Sequence, residues 1–307
     1  MAEAPAPPWR QLADSGLFDY RYHALSLAAV LLALAVGVLL GVAIGDSNLV
    51  SSAKNGIVAT LRSDLHTANE DNAELQQRVA NQANVESALY GVAVNGLLTG
   101  HDVGLVFLGG ASSQIDALVH NALRPTGAAV SVVAAVREPL NLTQIASEAR
   151  GSRYALLDGP APSTALVNAL GQRLGAELTT GGPLIGRVGS AVFSSLDGTT
   201  GHLDGVILVR DDPPAVPAAD IQAVNSFESG LSAGLRNLGL PVVGVELTST
   251  NPSQVPWYKA QGLSSVDDLN TLAGRAALAL TLTGVPGTFG TKSTASSLLP
   301  STLRPAP

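Results

Sequence analysis

The sequence predicts three parts in order: a single N-terminal transmembrane helix, a long coiled-coil helix, and an α/β domain with a mostly parallel sheet in Rossmann-like layers. Three observations predict them. Residues 24–44 read ALSLAAVLLALAVGVLLGVAI, twenty-one residues without a charge. Residues 55–90 contain no proline and place apolar side chains at alternating spacings of three and four. From residue 91 onward, short apolar runs alternate with helical patterns between Gly and Pro punctuation, the signature of β-α-β units. The expected organisation is a tail at 1–23, a membrane helix at 24–45, a stalk at 46–90, a globular domain at 91–292 and a disordered tail at 293–307.

At ~1.5 Å per residue the apolar run spans a hydrocarbon core of ~30 Å. Gly37, Gly41 and Gly45 fall on one face of that helix, with Ala29 and Ala33 continuing the stripe. Such a face lets two backbones approach closely, although small residues are also simply frequent in membrane helices. The run exceeds the ~7–15 apolar residues of a signal peptide, and Glu3, Asp14 and Asp19 interrupt the leader. A retained anchor is expected; cleavage at Ala43-x-Gly45 is the alternative. Arg10 and Arg21 before the helix balance Lys54 and Arg62 after it, but Arg21 sits at the boundary and Asp46 opens the other side. Local charge therefore predicts a cytoplasmic N-terminus and an extracytoplasmic C-terminal domain.

In the stalk, Val58, Leu65, Asn72 and Val79 occupy a positions, and Leu61, Ala68, Leu75 and Leu89 occupy d positions. Gln82 and Glu86 break the register near its end. An amide such as Asn72 at a central a position selects a parallel dimer in one register, at some cost in stability. A parallel homodimer is the expected partner, and a helix folded back on its own domain is the competing reading.

In the globular part, 102–108 (DVGLVFL) reads as a buried strand, Gly109 and Gly110 as a turn, and Ser112 or Ser113 as the cap of a helix reaching about Leu123. Residues 128–133 read as the next strand. A second unit follows: strand 205–209, a helix over 218–238 entered through Pro213, Pro214 and Pro217, and strand 242–247. Residues 154–157 read as a further strand with 165–174 as its helix. Residues 266–282 read as one helix, capped by Ser264 or Ser265, with Asp267 and Asp268 in its first turn.

Composition excludes several functions. Net charge is −7 with no basic run, so the footprint of nucleic-acid binding is missing. There is no cysteine, which removes disulfides and thiolate metal sites, and Met1 is the sole thioether. The five histidines, His23, His66, His101, His120 and His202, show no i, i+4 pair, so no metal site is expected. Gly109, Gly110 and Ser112 form a candidate anion-binding turn at a strand end, but they match neither glycine-rich phosphate fingerprint, and a tight strand-to-helix turn is the preferred explanation of both glycines. Asp211 and Asp212 suit a hard cation or a solvated turn. No nucleophile elbow or triad context occurs, so the residues give no case for an enzyme and none for a cofactor.

Two stretches carry a resemblance. Residues 20–41, YRYHALSLAAVLLALAVGVLLG, with His23, Ser26 and Leu27, are followed by the polar helix; residues 264–292 contain Val266, Asp267 and Asp268 with Gly287 and Gly290. This chain is similar in both to the actinobacterial copper transporter family. The resemblance implies a single-pass cell-envelope protein acting in copper export or homeostasis and, from corynebacterial relatives, an alternative role in cell separation together with a membrane partner. The residues themselves favour a non-enzymatic dimeric scaffold, since one helix per chain makes no pore and soft copper ligands are missing; that such a scaffold would regulate cell-wall remodelling or cell separation through a membrane partner is what the resemblance implies. A ligand-sensing domain that relays through the stalk is a third class.

Overall fold

The uncharged run from Ala24 forms the greater part of the first helix, α1 (Gly16–Ile44), whose candidate membrane span, Tyr20–Ile44, covers 25 residues. The computed structural model describes residues 16–45, 47–159, 163–210 and 216–301. Asp211 and Asp212 lie outside the described residues, as do 302–307. The second helix, α2 (Ser47–Val94), is uninterrupted over 48 residues. The chain divides into two units, one to Ala80 and one from Asn81.

In the first unit every described residue of the apolar span is exposed, and so are Leu61, Leu65, Leu75 and Val79 on α2. Exchanged i, i+4 pairs line the polar side of α2: Arg78 with Glu74 at 2.7 Å, and Gln76 Nε2 donating to Asn72 Oδ1 at 3.1 Å. Exposed pairs of this kind add only ~0.3–0.5 kcal/mol each, so they do not explain why such a long helix is favoured.

In the second unit the chain runs β1 (Asp102–Leu108), α3 (Ser113–Leu123), β2 (Ala129–Val136), α4 (Leu142–Glu148), α5 (Thr164–Thr180), α6 (Pro183–Val192) and β3 (Phe193–Gly198). It continues through β4 (Gly205–Arg210), α7 (Ala218–Arg236), β5 (Val242–Val245), α8 (Val255–Ala260), β6 (Ser264–Val266), α9 (Leu272–Leu282) and β7 (Thr288–Phe289). The sheet order is β3-β2-β1-β4-β5-β6-β7, parallel except for β3. Strands buried on both faces need continuous apolar sequence, which DVGLVFL and GVILV supply. One face packs Val106, Leu108, Val206 and Leu208 against α4, α5, α6 and α7. The other packs Leu105, Phe107, Ile207 and Val245 against α3 and α9.

The helices α5 and α7 approach at backbone distance. A Cβ on Gly230 would lie 2.1 Å from the Asn168 carbonyl oxygen, and one on Gly171 would lie 2.3 Å from that of Phe227. With Gly175 and Gly234 one turn on, two glycine ridges interlock, an arrangement familiar from membrane helices but built here between helices that flank a sheet.

Four expectations are corrected. Residues 154–157 form a 3-10 turn, Arg153–Leu157, capped by Ser152, because β3 occupies the only sheet edge beside β2 where a strand could pair. The helix expected over 266–282 begins at Leu272, since Ser264–Val266 hydrogen-bond to β5 as a strand; Thr271, and not Ser264 or Ser265, is its cap, accepting from Gly274 N at 2.9 Å. Asp267 and Asp268 are fully buried and not in a first turn. The tail expected to be disordered from 293 is held as far as 301: Gly290 N donates to Ser297 O at 3.0 Å and Ser296 N to Thr288 O at 2.9 Å. The last turns of α2 pack on the domain, with Val94 buried against Ala276 and Ala279, and Tyr90 Oη donating to Ala122 O at 2.7 Å. Burial pushes the Tyr90 hydroxyl up to about 12, against the opposing charge of Arg275.

Candidate functional site

In an open α/β sheet the loops at the carboxyl ends of the strands converge, and charged side chains gather there. Arg210 ends β4. Its Nε donates to both carboxylate oxygens of Glu228, at 3.2 and 3.0 Å, its Nη1 donates to Gln254 Oε1, and its guanidinium lies 4.9 Å from the ring centre of Trp257. Glu228 is fully buried on α7. Such a pair is retained only where hydrogen bonds replace lost hydration, and here Arg210 supplies two. The Arg210 backbone N–H donates at 2.8 Å to Tyr258 Oη, which itself donates to Val245 O at 3.1 Å. Burial pushes that hydroxyl strongly upward, so it stays protonated as the link between β4 and β5.

Glu138 follows β2. Its two carboxyl oxygens are out of solvent and receive no donor from the described residues. The group they face is the Glu228 carboxylate. Two carboxylates in contact are satisfied when one proton is shared between them, and the balance falls on Glu138: burial and then the Glu228 charge raise it from 4.5 to about 8, with Arg210 opposing. Glu138 lines a cavity of about 640 Å³ together with Arg137, Asn141, Thr143 and Asp220.

A second network closes the neighbouring strand ends. Glu246, buried after β5, accepts from Lys292 Nζ at 2.7 Å and Ser253 Oγ at 2.7 Å. Asp267 accepts from the backbone N–H of Thr291 at 2.8 Å and of Lys292 at 3.2 Å. A Cβ on Gly290 would sit 1.9 Å from Asp267 Oδ1, which is why the returning chain carries glycine there at φ 135°. Asp268 is raised by burial first and by Asp267 as well. Val266, Asp267, Gly287 and Gly290 thus fasten the C-terminal segment to the sheet.

The profile of the family described as "Copper transport outer membrane protein, MctB" matches residues 17–300, from the first helix to the end of the fastened segment. This chain belongs to that family. No curated protein matches it. The two stretches that carried the resemblance in sequence lie inside the match, and in this MctB-family chain the second of them has a structural explanation, the Asp267 clasp on residues 290–292.

The other expected site residues are placed as follows. Gly37 and Gly41 lie on α1 with open space where side chains would project, and Gly45 closes the helix by donating to Gly41 O at 2.9 Å. Val58, Leu61, Leu65, Asn72, Leu75 and Val79 lie on α2 without cover from the described residues. Gly109 makes the turn after β1 at φ 103°, and Ser112 caps α3, accepting from Ile115 N at 3.3 Å. The Glu138 carboxyl stands 3.4 Å from a Cβ position on Gly109, so an anion in this turn would meet a carboxyl group.

The sequence reading missed Glu138, Arg210, Glu228, Glu246 and Lys292. Signals were present for two of them. Glu228 falls among Val224, Phe227, Leu231 and Leu235 on the buried stripe of α7, and Arg210 ends an otherwise apolar strand. As for copper, the chain offers no thiolate and one thioether, and among the described residues no three His, Cys, Asp or Glu side chains are grouped to hold a metal.

Proposed function

We propose that this chain is a single-pass protein of the cell envelope that serves copper export or homeostasis as a non-enzymatic component, with copper as cargo of the system and not as a ligand of its own side chains. The observation that carries this reading is the family match over residues 17–300. One apolar helix, Tyr20–Ile44, supports the anchor, and Arg21 against Asp46 supports a cytoplasmic N-terminus in the plasma membrane with the α/β domain outside. The described sheet is open and clad with helices on both faces, so the domain does not itself resemble a membrane barrel.

We further propose a parallel homodimer. The exposed a and d side chains of α2 and the glycine face of α1 are both explained by a second copy in register, with coiled-coil packing from 58 to 79. No nucleic acid is expected as partner, because the chain is acidic and carries no basic run. The test is growth in copper. Deletion should sensitise cells to copper; the full chain should restore tolerance, and a chain lacking residues 24–45 should not. Unchanged copper tolerance after deletion would refute the role.

A further inference from the structure

A second cavity, of about 350 Å³, lies on the helical face away from the carboxyl-edge cluster, lined by Arg153, Arg173 and Arg187 with Ser152, Glu177 and Pro183. These arginines come from the 3-10 turn, α5 and α6, and their separation in sequence hides them from any charge-run reading. Three guanidiniums around one cavity repel one another unless something anionic offsets the repulsion.

Each guanidinium is held in place and each keeps donors free. Arg153 Nη2 donates to Tyr154 Oη at 3.1 Å, and its guanidinium lies 5.0 Å from the Tyr154 ring centre, while Tyr154 Oη donates to Ala169 O. Arg187 Nη2 donates to the carbonyl oxygens of Arg150 and Glu148. Arg173 Nε donates to Glu177 Oε1 at 2.6 Å. A guanidinium carries five N–H donors, of which these bonds use only part.

Among the described residues the one carboxylate lining the cavity is already spent. Glu177 is buried, and its Oε2 accepts from Ile185 N at 2.8 Å while Oε1 takes Arg173. Arg153 and Arg187 have no carboxylate within salt-bridge distance among the described residues. The first turn of α6 is already met by the Glu177 carboxylate through Ile185 N, so the site rests on the arginines alone. Planar forks held on rigid elements around a small cavity suit tetrahedral or planar oxyanions, which they grip in pairs.

We propose that this cavity binds a phosphate or comparable oxyanion group, borne by a soluble phosphate ester or by an anionic lipid headgroup, through Arg153, Arg173 and Arg187. It is separate from the copper role and does not depend on it.

The test uses the full chain in neutral detergent at constant ionic strength. Melting temperature is followed against inorganic phosphate, glycerol 3-phosphate and dihexanoylphosphatidylglycerol, with chloride and dihexanoylphosphatidylcholine as references. A saturable rise is expected, with apparent affinity weakened at least about tenfold in the double variant R153Q/R187Q and unchanged in R124Q/R236Q, which removes two positive charges at exposed positions outside the cavity. Arg173 is left intact because its loss would strand buried Glu177. A rise with phosphate and glycerol 3-phosphate assigns a soluble ester, and a rise with the phosphatidylglycerol alone assigns a headgroup. No rise with any of the three, or an equal rise in wild type and double variant, overturns the site.

Discussion

Glu138 and Glu228 face each other at the carboxyl edge of the sheet, and Arg210 grips only Glu228. The asymmetry decides which carboxyl keeps the proton. Glu228 has two donated hydrogen bonds that favour its charged form, whereas Glu138 has burial and a neighbouring anion, both of which favour the neutral acid.

The first prediction is a pH dependence. Glu138 titrates near its ordinary 4.5 in the unfolded chain and at about 8 in the folded one, so between those values the native state binds more protons. Stability should therefore fall as pH rises from about 4.5 to about 8 and level off above. In Glu138→Gln this part of the slope should vanish. Thermal melts of both chains across the window check it, and parallel slopes would contradict the shared-proton account.

The second prediction concerns the glycine crossing. Gly230→Ala puts a methyl 2.1 Å from a carbonyl oxygen, which forces α5 and α7 apart, at a cost of about 1–3 kcal/mol or more. Gly186→Ala on α6 meets nothing within 4 Å and should be neutral or gain up to ~1 kcal/mol in helix propensity. Urea denaturation separates the two, and equal effects would mean the crossing is not a tight constraint.

The third prediction is the dimer. Replacing Leu65 and Leu75 by Glu should shift the full chain in detergent toward monomer, since each buried leucine lost forfeits roughly 1.5–3 kcal/mol and an unpaired charge costs more. Asn72→Leu should stabilise the stalk while loosening its choice of partner number. Sedimentation mass reads both; a wild-type monomer at micromolar concentration would refute the paired stalk.

The fourth prediction is topology. A reporter fused after Pro307 should be active only outside the cytoplasm, and one fused before Trp9 only inside. Cytoplasmic activity of the C-terminal fusion would reverse the orientation.

What was legible in the sequence was what local pattern encodes. Residues 102–108 are apolar on both faces and formed β1 at those bounds, and Ser112 capped α3, because strand burial and capping act over a few residues. The charged site was not legible. Glu138, Arg210, Glu228 and Gln254 meet only through the sheet order, and no spacing rule links them. A helix from Val266 capped by Ser264 or Ser265 fits the local sequence because Asp267 and Asp268 mimic a first turn, while pairing with β5 makes Ser264–Val266 a strand. The three cavity arginines were invisible for the same reason: each belongs to a different element.

The central claim is a role in copper handling, and cell copper content tests it most directly. Cells lacking the chain, grown with added copper and measured by elemental analysis, should hold more copper than wild type and return to its level when the full chain is restored. Equal copper in deleted and wild-type cells would contradict the account.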